Sequence, residues 1–228
     1  MDPPLALDVD GTLTRPDGSI DPRVFEPLRR WEAPVVLATG KAFPFPVALC
    51  AFIGIEELVI AENGGVVYAR DRLSVEGEPE TARAVADVLR EEGYGLGWGP
   101  VDLVNRWRET ELAVSLSVPE EPIRRIAAEH DLDVYDTGYA YHVKSPTVTK
   151  GAGLVAMAEL LDVDPSSFVA IGDSENDAST FAVAGRSFAV ANADDTARDA
   201  ADRVLEGEHA IGTLEALSTV KENTIDGS

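Results

Sequence analysis

Four short apolar runs, each followed at once by small polar residues, constrain the fold of this 228-residue chain most strongly. In chain order they are Leu5–Leu7, Val35–Ala38, Leu58–Ala61 and Phe168–Ile171. Uninterrupted apolar runs of this length are typical of strands that are buried on both faces of a parallel sheet. Segments with helical features lie between the runs. Strands that alternate with helices predict an α/β fold with a Rossmann-like parallel sheet.

The helices between these strands carry recognisable start and stop signals. Asp21 followed by Pro22 favours a helix that begins there and runs to about Trp31. The sequence Glu62–Gly65 predicts a tight turn that leads into a hairpin strand. The last helix is expected over about His209–Leu217, with frayed residues in Val220–Ser228.

The rhythm changes between residues 79 and 148. The pattern there is helix, strand, strand, repeated once, and its predicted elements are Thr81–Glu92, Leu103–Trp107, Leu112–Val118, Pro122–Glu129, Val134–Asp136 and Tyr139–Val143. This order predicts a small α+β cap domain over 79–148. It would be inserted into a discontinuous α/β core domain made of 1–78 and 149–228.

The net charge of −22 limits the partners of this protein. An acidic surface of this kind repels nucleic acids and anionic membranes. We therefore expect neither as a partner. The chain has four lysines among its 19 basic residues, and an acidic, lysine-poor surface predicts a protein that works in concentrated salt. Cys50 is the only cysteine, which fits a reducing cytoplasm. No apolar run is long enough to span a bilayer, and no basic-then-apolar leader pattern is present.

Asp8 and Asp10 follow the first predicted strand and leave its end on the same face. Two carboxylates that close repel each other, so they require a cation between them or a proton on one of them. Gly11 permits the sharp turn that follows. The same residues also fit an ordinary Asp-rich turn, so the interpretation depends on the rest of the chain.

Polar residues follow three other predicted elements at the same expected edge of the sheet. These residues are Thr39, Gly40 and Lys41 after a strand, Lys150 at a helix start, and Asp173, Asn176 and Asp177 after a strand. The Thr39–Lys41 segment also fits a plain strand-to-helix turn. Because the carboxyl ends of parallel strands lie along one edge, we expect the polar side chains at these ends to converge. They are those of Asp8, Asp10, Thr39, Lys150, Asp173, Asn176 and Asp177. Carboxylates with Mg²⁺, a lysine and a small hydroxyl group meet the needs of phosphoryl transfer.

The four segments resemble, in order, the four motifs of the haloacid dehalogenase superfamily. Asp8–Thr12 resembles the first motif, Thr39 the second, Lys150 the third and Gly172–Asp177 the fourth. The predicted α+β insert between the second and third motifs is similar to the cap of one subgroup of that superfamily. The resemblance covers nearly the whole chain and implies a phosphatase.

The resemblance also implies a role for each motif residue. Asp8 is expected to be the nucleophile, and Asp10 the general acid and base that reaches the metal through its backbone carbonyl group. The residues expected to bind the phosphoryl group are Thr39, Gly40, Lys150 and Asn176. The residues expected to hold Mg²⁺ are Asp8, Asp10, Asp173 and Asp177.

Within the superfamily, the short chain and small cap look most like the archaeal phosphoglycolate phosphatases. The favoured substrate is therefore 2-phosphoglycolate, and the acidic surface suggests a haloarchaeal member. A sugar-phosphate phosphatase and a catalytically silent binding protein are the alternatives. A P-loop nucleotide switch is excluded, because no G-x-x-x-x-G-K-[ST] run is present. We expect a small phosphorylated metabolite as partner and a monomer or homodimer.

One face of the predicted cap sheet is a candidate for reading the substrate carboxylate. Alternation places Tyr139, Tyr141 and Val143 on one face and Ala140, His142 and Lys144 on the other. Arg106 and Arg108 are also placed on a cap strand. An ordinary half-solvated sheet remains the alternative for each residue. The three histidines (His130, His142 and His209) do not have the spacing of metal ligands and are expected to be structural or surface residues.

Overall fold

The computed structural model describes residues 2–226, which contain two separate β-sheets. The larger sheet has eight strands in the order β11-β10-β9-β1-β2-β3-β4-β5. Its strands are β1 (Leu5–Leu7), β2 (Val35–Ala38), β3 (Val59–Ala61), β4 (Val66–Ala69), β5 (Arg72–Val75), β9 (Val169–Gly172), β10 (Arg186–Ala189) and β11 (Arg203–Val204). The six strands from β11 to β3 pair in parallel, and β4 and β5 continue the sheet in antiparallel pairs.

Helices cover both faces of the large sheet. The helices of the protein are α1 (Phe25–Arg29), α2 (Pro44–Ile53), α3 (Pro79–Glu91), α4 (Glu120–Glu129), α5 (Lys150–Leu161), α6 (Ala178–Phe181), α7 (Asp195–Ala200) and α8 (His209–Asp226). Side chains of α1, α2 and α8 form one apolar cluster with the sheet, and those of α5, α6 and α7 form a second cluster. The two clusters explain why the central strands are apolar on both faces, and the predicted Rossmann-like α/β fold is confirmed.

The smaller sheet has three antiparallel strands in the order β6-β8-β7. These strands are β6 (Leu112–Ser115), β7 (Asp133–Asp136) and β8 (Ala140–Lys144). Apolar side chains of α3 and α4, with Leu89 and Ile126 among them, pack on one face of this sheet in a third cluster. Val143 belongs to that cluster. The opposite face, with His142 and Lys144, is therefore turned away from these two helices.

The predicted strand Leu103–Trp107 is wrong, because this segment forms a series of turns. Asp102 accepts hydrogen bonds from two following backbone N–H groups and starts the turns. The Asn105 side chain then donates to the carbonyl oxygen of Ala113 at 2.8 Å and accepts from its N–H at 2.8 Å. The side-chain amide of Asn105 thus makes the hydrogen bonds that a neighbouring strand would make to the edge of β6. Arg106 and Arg108 accordingly lie on a loop, and Tyr139 precedes β8.

Two further differences concern the ends of the large sheet and of the chain. Strand β5 (Arg72–Val75) was not predicted; its mostly exposed side chains lack the apolar signal of the buried strands. The last helix does not end near Leu217 but continues to Asp226. Val220 is buried in the same apolar cluster as Leu217, and this packing holds the additional turns. The last two residues of the segment expected to fray lie outside the described residues.

Across residues 2–226, no helix combines the length and the apolar character needed to cross a lipid bilayer.

Candidate active site

A buried lysine links two buried carboxylates at the carboxyl edge of the large sheet. Lys150 Nζ donates to Asp8 Oδ1 at 2.6 Å and to Asp177 Oδ1 at 2.7 Å. Asp8 directly follows β1, and Lys150 is the first residue of α5, where the Thr149 side chain caps the helix. The relative exposure is 1% for Lys150 and 5% for Asp8. Burial opposes the charge of Lys150, but Asp177 and Asp8 outweigh it and raise the pKa of the ammonium group.

Asp173 and Asp177 are positioned by the turn that follows β9. The other carboxylate oxygen of Asp177, Oδ2, accepts from the backbone N–H of Asp173 at 3.0 Å and of Ser174 at 3.2 Å. Ser174 and Asp177 form a reciprocal capping arrangement at the start of this turn. The turn therefore fixes the Asp177 carboxylate against Lys150 while leaving the Asp173 side chain free to face Asp8.

Asp8, Asp173 and Asp177 form a cluster that could hold a metal ion. One carboxylate oxygen from each lies within 4.8 Å of the others. Burial, followed by the neighbouring carboxylate of Asp177, raises the pKa of Asp173 to about 7. Burial likewise raises the pKa of Asp8 well above its ordinary value, although Lys150 opposes this effect. When all three crowded carboxylates are ionised, they exceed the one ammonium group by two negative charges. This donor set therefore fits a divalent cation with oxygen ligands.

Gly11 and Asp10 shape the turn beside this cluster. Gly11 has φ +78°, and a Cβ atom at this position would lie 1.9 Å from Asp173 Oδ2. Only glycine therefore allows the turn to pack so closely against the Asp173 carboxylate. The Asp10 side chain is 55% exposed, and Lys41 Nζ lies 3.0 Å from its Oδ2. Its carboxylate is outside the metal-type cluster formed by the other three aspartates.

The remaining predicted residues lie around the same edge. Thr39 is buried after β2, and its hydroxyl oxygen accepts from the N–H of Lys41 at 3.1 Å. Thr39 does not cap a helix, because α2 begins at Pro44. Gly40 packs closely against the side chain of Asn63, whose amide oxygen accepts a hydrogen bond from Asn176 Nδ2 at 3.1 Å. Thr39 lines one groove with Asp10 and Lys41.

A cavity of about 230 Å³ adjoins Lys150 between the two sheets. Strand residues of the small sheet line it together with residues from the turns and helices at the carboxyl edge of the large sheet. Those used below are Tyr135, His142, Lys144, Lys150 and Asn176. Its volume lies just below the usual range for drug-sized ligands and so suits a small molecule. The His142 and Lys144 face of β8 is therefore turned towards the carboxyl edge of the large sheet, where Lys150 lies.

A buried glutamate in the β3–β4 turn makes long-range contacts that the sequence analysis did not predict. Glu62 is fully buried and has φ +52°. Its carboxylate accepts from the backbone N–H groups of Glu109 and Thr110 at 2.8–3.0 Å and from the Thr110 hydroxyl group at 2.9 Å. Burial raises the pKa of Glu62, while these hydrogen bonds oppose the rise. This residue ties the large sheet to the loop that precedes β6.

A second set of buried contacts runs from the same turn to the small sheet. Asn63 Nδ2 donates to Glu111 Oε2 at 3.0 Å, and Glu111 Oε1 contacts both Arg108 and His142 Nδ1. Arg108 Nη1 also donates to the carbonyl oxygen of Gly40 at 2.9 Å. Burial, then the charges of Arg108 and Lys144, lower the pKa of His142 to about 3. The ring is therefore neutral, with Nδ1–H donating to Glu111.

The signal that could have pointed to these contacts is the Glu-Asn-Gly-Gly sequence itself. A two-residue hairpin turn usually carries Asn-Gly, and the additional glutamate before it is out of place in a buried turn. Both Glu62 and Asn63 adopt positive φ values, which are uncommon for residues other than glycine. Their partners Thr110 and Glu111 are 48 residues away in the sequence, so no local pattern could identify them.

Comparisons with known proteins agree with this geometry. The model of the haloacid dehalogenase-like hydrolase family matches residues 5–94 and 124–217. A phosphoglycolate phosphatase of Natronomonas pharaonis is 60% identical over 222 residues, which cover 96% of this chain and 98% of that protein. A phosphoglycolate phosphatase of Halorubrum lacusprofundi is 57% identical over 226 residues, or 98% and 100% of the two chains. The crystal structure of Thermoplasma acidophilum 0175 matches with a TM-score of 0.84 and 25% identity, over 97% of this chain and 99% of the other. The chain therefore belongs to the haloacid dehalogenase-like hydrolases.

Proposed function

We propose that this protein is a Mg²⁺-dependent phosphatase that hydrolyses 2-phosphoglycolate to glycolate and phosphate through an aspartyl-phosphate on Asp8. The observation that carries the proposal is the position of Lys150 Nζ between the carboxylates of Asp8 and Asp177. A buried carboxylate fixed by an ammonium group at a sheet edge suits nucleophilic attack on an anionic phosphorus centre.

The choice of substrate is supported by the relatives and by the cavity. The two haloarchaeal relatives described above, both more than half identical to this chain, are phosphoglycolate phosphatases. The cavity beside Lys150 is small, at about 230 Å³, and suits a short ester better than a sugar phosphate.

In the first step, an oxygen of the Asp8 carboxylate attacks phosphorus and the bond to the leaving oxygen breaks. Asp10 donates a proton to that leaving oxygen, which departs as the hydroxyl group of glycolate. Lys150 counters the charge of Asp8 and of the phosphoryl oxygens throughout. The product of this step is an acyl phosphate on Asp8.

In the second step, Asp10 accepts a proton from water, which attacks the phosphorus of the acyl phosphate. The bond between phosphorus and the Asp8 oxygen breaks, phosphate leaves and the carboxylate is regenerated. Bound Mg²⁺ offsets the repulsion between the carboxylate and the anionic phosphate group. The residues proposed to hold it are Asp8, Asp10, Asp173 and Asp177.

The other predicted residues are proposed to bind the phosphoryl oxygens. These residues are Thr39 through its hydroxyl group, Gly40 through its backbone N–H, Lys150 and Asn176. Thr39 and Lys150 are buried at the same sheet edge as Asp8, and Asn176 follows the same strand as Asp173. A buried donor in a fixed orientation needs little rearrangement when the charge develops.

The domain division is part of the proposal. We propose that 79–148 forms a cap over a core made of 1–78 and 149–228, and two observations support this division. The small sheet has an apolar cluster of its own, and its uncovered face lines the cavity. A cytoplasmic monomer or homodimer stays our expectation, consistent with the single cysteine and with a small diffusible substrate.

Phosphate release from 2-phosphoglycolate, with Mg²⁺ and in molar KCl, tests the proposal. We expect a kcat/KM well above the values for glucose 6-phosphate and other sugar phosphates. Broad activity on sugar phosphates would retain the mechanism and replace the substrate. Failure to release phosphate from any ester in the panel would contradict the proposal and favour a silent binding protein.

A further inference from the structure

Lys144 is a buried cation in the wall of the cavity beside Lys150. It is the last residue of β8, is only 6% exposed, and lies on the same face of that strand as His142. Its Nζ donates to the carbonyl oxygen of Val148 and lies 4.3 Å from the centroid of the Tyr135 ring. These contacts hold the ammonium group in place but leave its charge without a counter-ion.

Among residues 2–222, whose side chains the structure describes, no carboxylate lies within 4.0 Å of Lys144 Nζ. The carboxylate that opposes the lowering of its pKa is that of Asp133, which is exposed on the neighbouring strand β7. Burial lowers the pKa of Lys144 to about 8, so the group is mostly charged at neutral pH. A buried, unpaired charge is costly in a folded protein and commonly marks a binding site.

The charges around the cavity are arranged unevenly. Its buried wall carries Lys144, Lys150 and the neutral His142, whereas the acidic residues that line it, Asp136, Glu175 and Asp194, are exposed. Lys150 is already held by Asp8 and Asp177. Lys144 is therefore the buried cation of this wall whose charge no neighbouring carboxylate pairs at salt-bridge distance. An ammonium group has three N–H donors, so two remain after the hydrogen bond to the carbonyl oxygen of Val148.

We propose that Lys144 binds the carboxylate that a small phosphate ester carries on its leaving group, and that it thereby selects carboxylate-bearing substrates over neutral ones. The inference rests on the proposed function, because it takes the phosphoryl group to be bound at Asp8 and Lys150. With that end fixed, the rest of the ester extends into the cavity that Lys150 and Lys144 share. The carboxylate would replace the missing counter-ion of Lys144.

The test compares two esters that differ only at the far end of the leaving group. 2-Phosphoglycolate has a carboxylate where ethyl phosphate has a methyl group. The kcat/KM of each is measured for the wild type, for Lys144→Met and for Lys144→Arg. Lys144→Met keeps the length of the side chain and removes its charge, and Lys144→Arg restores the charge. Lys221→Met, at an exposed position of helix α8, is the surface control for the loss of one positive charge.

We expect the wild type to prefer 2-phosphoglycolate, and Lys144→Met to lose about 10- to 100-fold in kcat/KM for that ester, as for the loss of a charged hydrogen bond. Its kcat/KM for ethyl phosphate should stay within about twofold, a difference that a merely structural role for Lys144 would not produce. Lys144→Arg should recover part of the preference, and Lys221→Met should match the wild type for both esters.

The two ways to fail are distinguishable. A wild type that hydrolyses both esters equally well would contradict the proposed substrate. A wild type that prefers 2-phosphoglycolate and a Lys144→Met variant that keeps this preference would overturn the role of Lys144 alone. Equal losses on both esters would also overturn it, since they indicate a change in the shared phosphoryl site. Lys144→Gln, read in the same assay, replaces Lys144→Met if the latter does not fold.

Discussion

The backbone of Gly11 packs directly against the carboxylate of Asp173, since a Cβ atom at position 11 would lie 1.9 Å from Asp173 Oδ2. The turn after β1 and the turn after β9 are thus fitted to each other across the proposed metal site. This close approach fixes the position of one of the three crowded carboxylates.

Gly11→Ala should weaken Mg²⁺ binding by tenfold or more, because the added methyl group must displace the Asp173 carboxylate. Gly18→Ala is the matched control: Gly18 has φ +80°, close to the +78° of Gly11, but nothing lies within 4 Å of its Cβ position. Both variants should lose about 1–2 kcal/mol of stability through backbone strain. A titration with Mg²⁺, monitored through the melting temperature, compares the Mg²⁺ affinity of the two variants. Equal Mg²⁺ affinity in both variants would contradict a role for this contact.

Asn63 should couple the small sheet to the proposed active site, since its side chain contacts both Glu111 and Asn176. Asn63→Gly removes the side chain, leaves Glu111 with one partner fewer, and should cost about 1–3 kcal/mol of unfolding free energy. Asn63→Ala should cost roughly 1 kcal/mol more, because position 63 has φ +54°.

Chemical denaturation measures these free energies of unfolding. A parallel fall in kcat/KM for 2-phosphoglycolate is expected in both Asn63 variants, because Asn176 loses its fixed position. Stability and activity equal to those of the wild type in Asn63→Gly would show that these hydrogen bonds contribute nothing to either property.

Lys144 should give the substrate preference a dependence on pH. Burial lowers its pKa to about 8 in the folded protein, so the fraction of charged Lys144 falls as the pH rises above that value. The ratio of kcat/KM for 2-phosphoglycolate to that for ethyl phosphate should therefore decline above about pH 8.

Lys144→Arg should keep this ratio constant through the same range, because arginine stays charged. The groups around Lys144 do not mimic the effect: His142 is neutral at these pH values, with a pKa of about 3, and burial raises the pKa of Tyr135. The other charged groups around Lys144 are the carboxylates of Asp133 on β7 and of the cavity residues Asp136, Glu175 and Asp194. A ratio that falls equally in Lys144→Arg would assign the titration to another group.

The net charge of −22 should make the stability depend on salt. Repulsion among the 41 acidic side chains destabilises the compact state in dilute buffer, and molar KCl reduces the screening length to about 3 Å. We expect the melting temperature to rise steadily between dilute buffer and molar KCl. Full stability in dilute buffer would contradict the prediction of a protein that works in concentrated salt.

The sequence was sufficient to predict that the residues of the proposed active site lie together, because the signals there are local. Asp8 follows an apolar run, Lys150 begins a helix, and Asp173 follows another run, so parallel-sheet topology alone brings them together. The folded chain confirms that Asp8, Lys150, Asp173 and Asp177 converge. The alternation of β8 also identified correctly that His142 and Lys144 share the face opposite Tyr141 and Val143.

The features that the sequence did not predict depend on contacts between segments that are distant in the chain. Leu103–Trp107 has the composition of a strand, yet the side chain of Asn105 takes the place of its backbone in pairing with β6. Similarly, Glu62 was interpreted only as part of a turn, because its partners in the segment before β6 are 47 and 48 residues away. Tertiary hydrogen bonds of this kind leave no periodic pattern in the sequence.

The most direct test of the account is to trap the proposed acyl phosphate on Asp8. Wild-type protein is mixed with 2-phosphoglycolate and Mg²⁺, quenched in acid during turnover, digested and analysed by mass spectrometry. We predict one phosphoryl group on the peptide that contains Asp8, none in Asp8→Asn, and a loss of phosphate release of about a thousandfold or more in that variant. Asp8→Asn should remain folded, with Lys150 still paired to Asp177. Unchanged turnover in Asp8→Asn, or a phosphoryl group on another residue, would contradict the account.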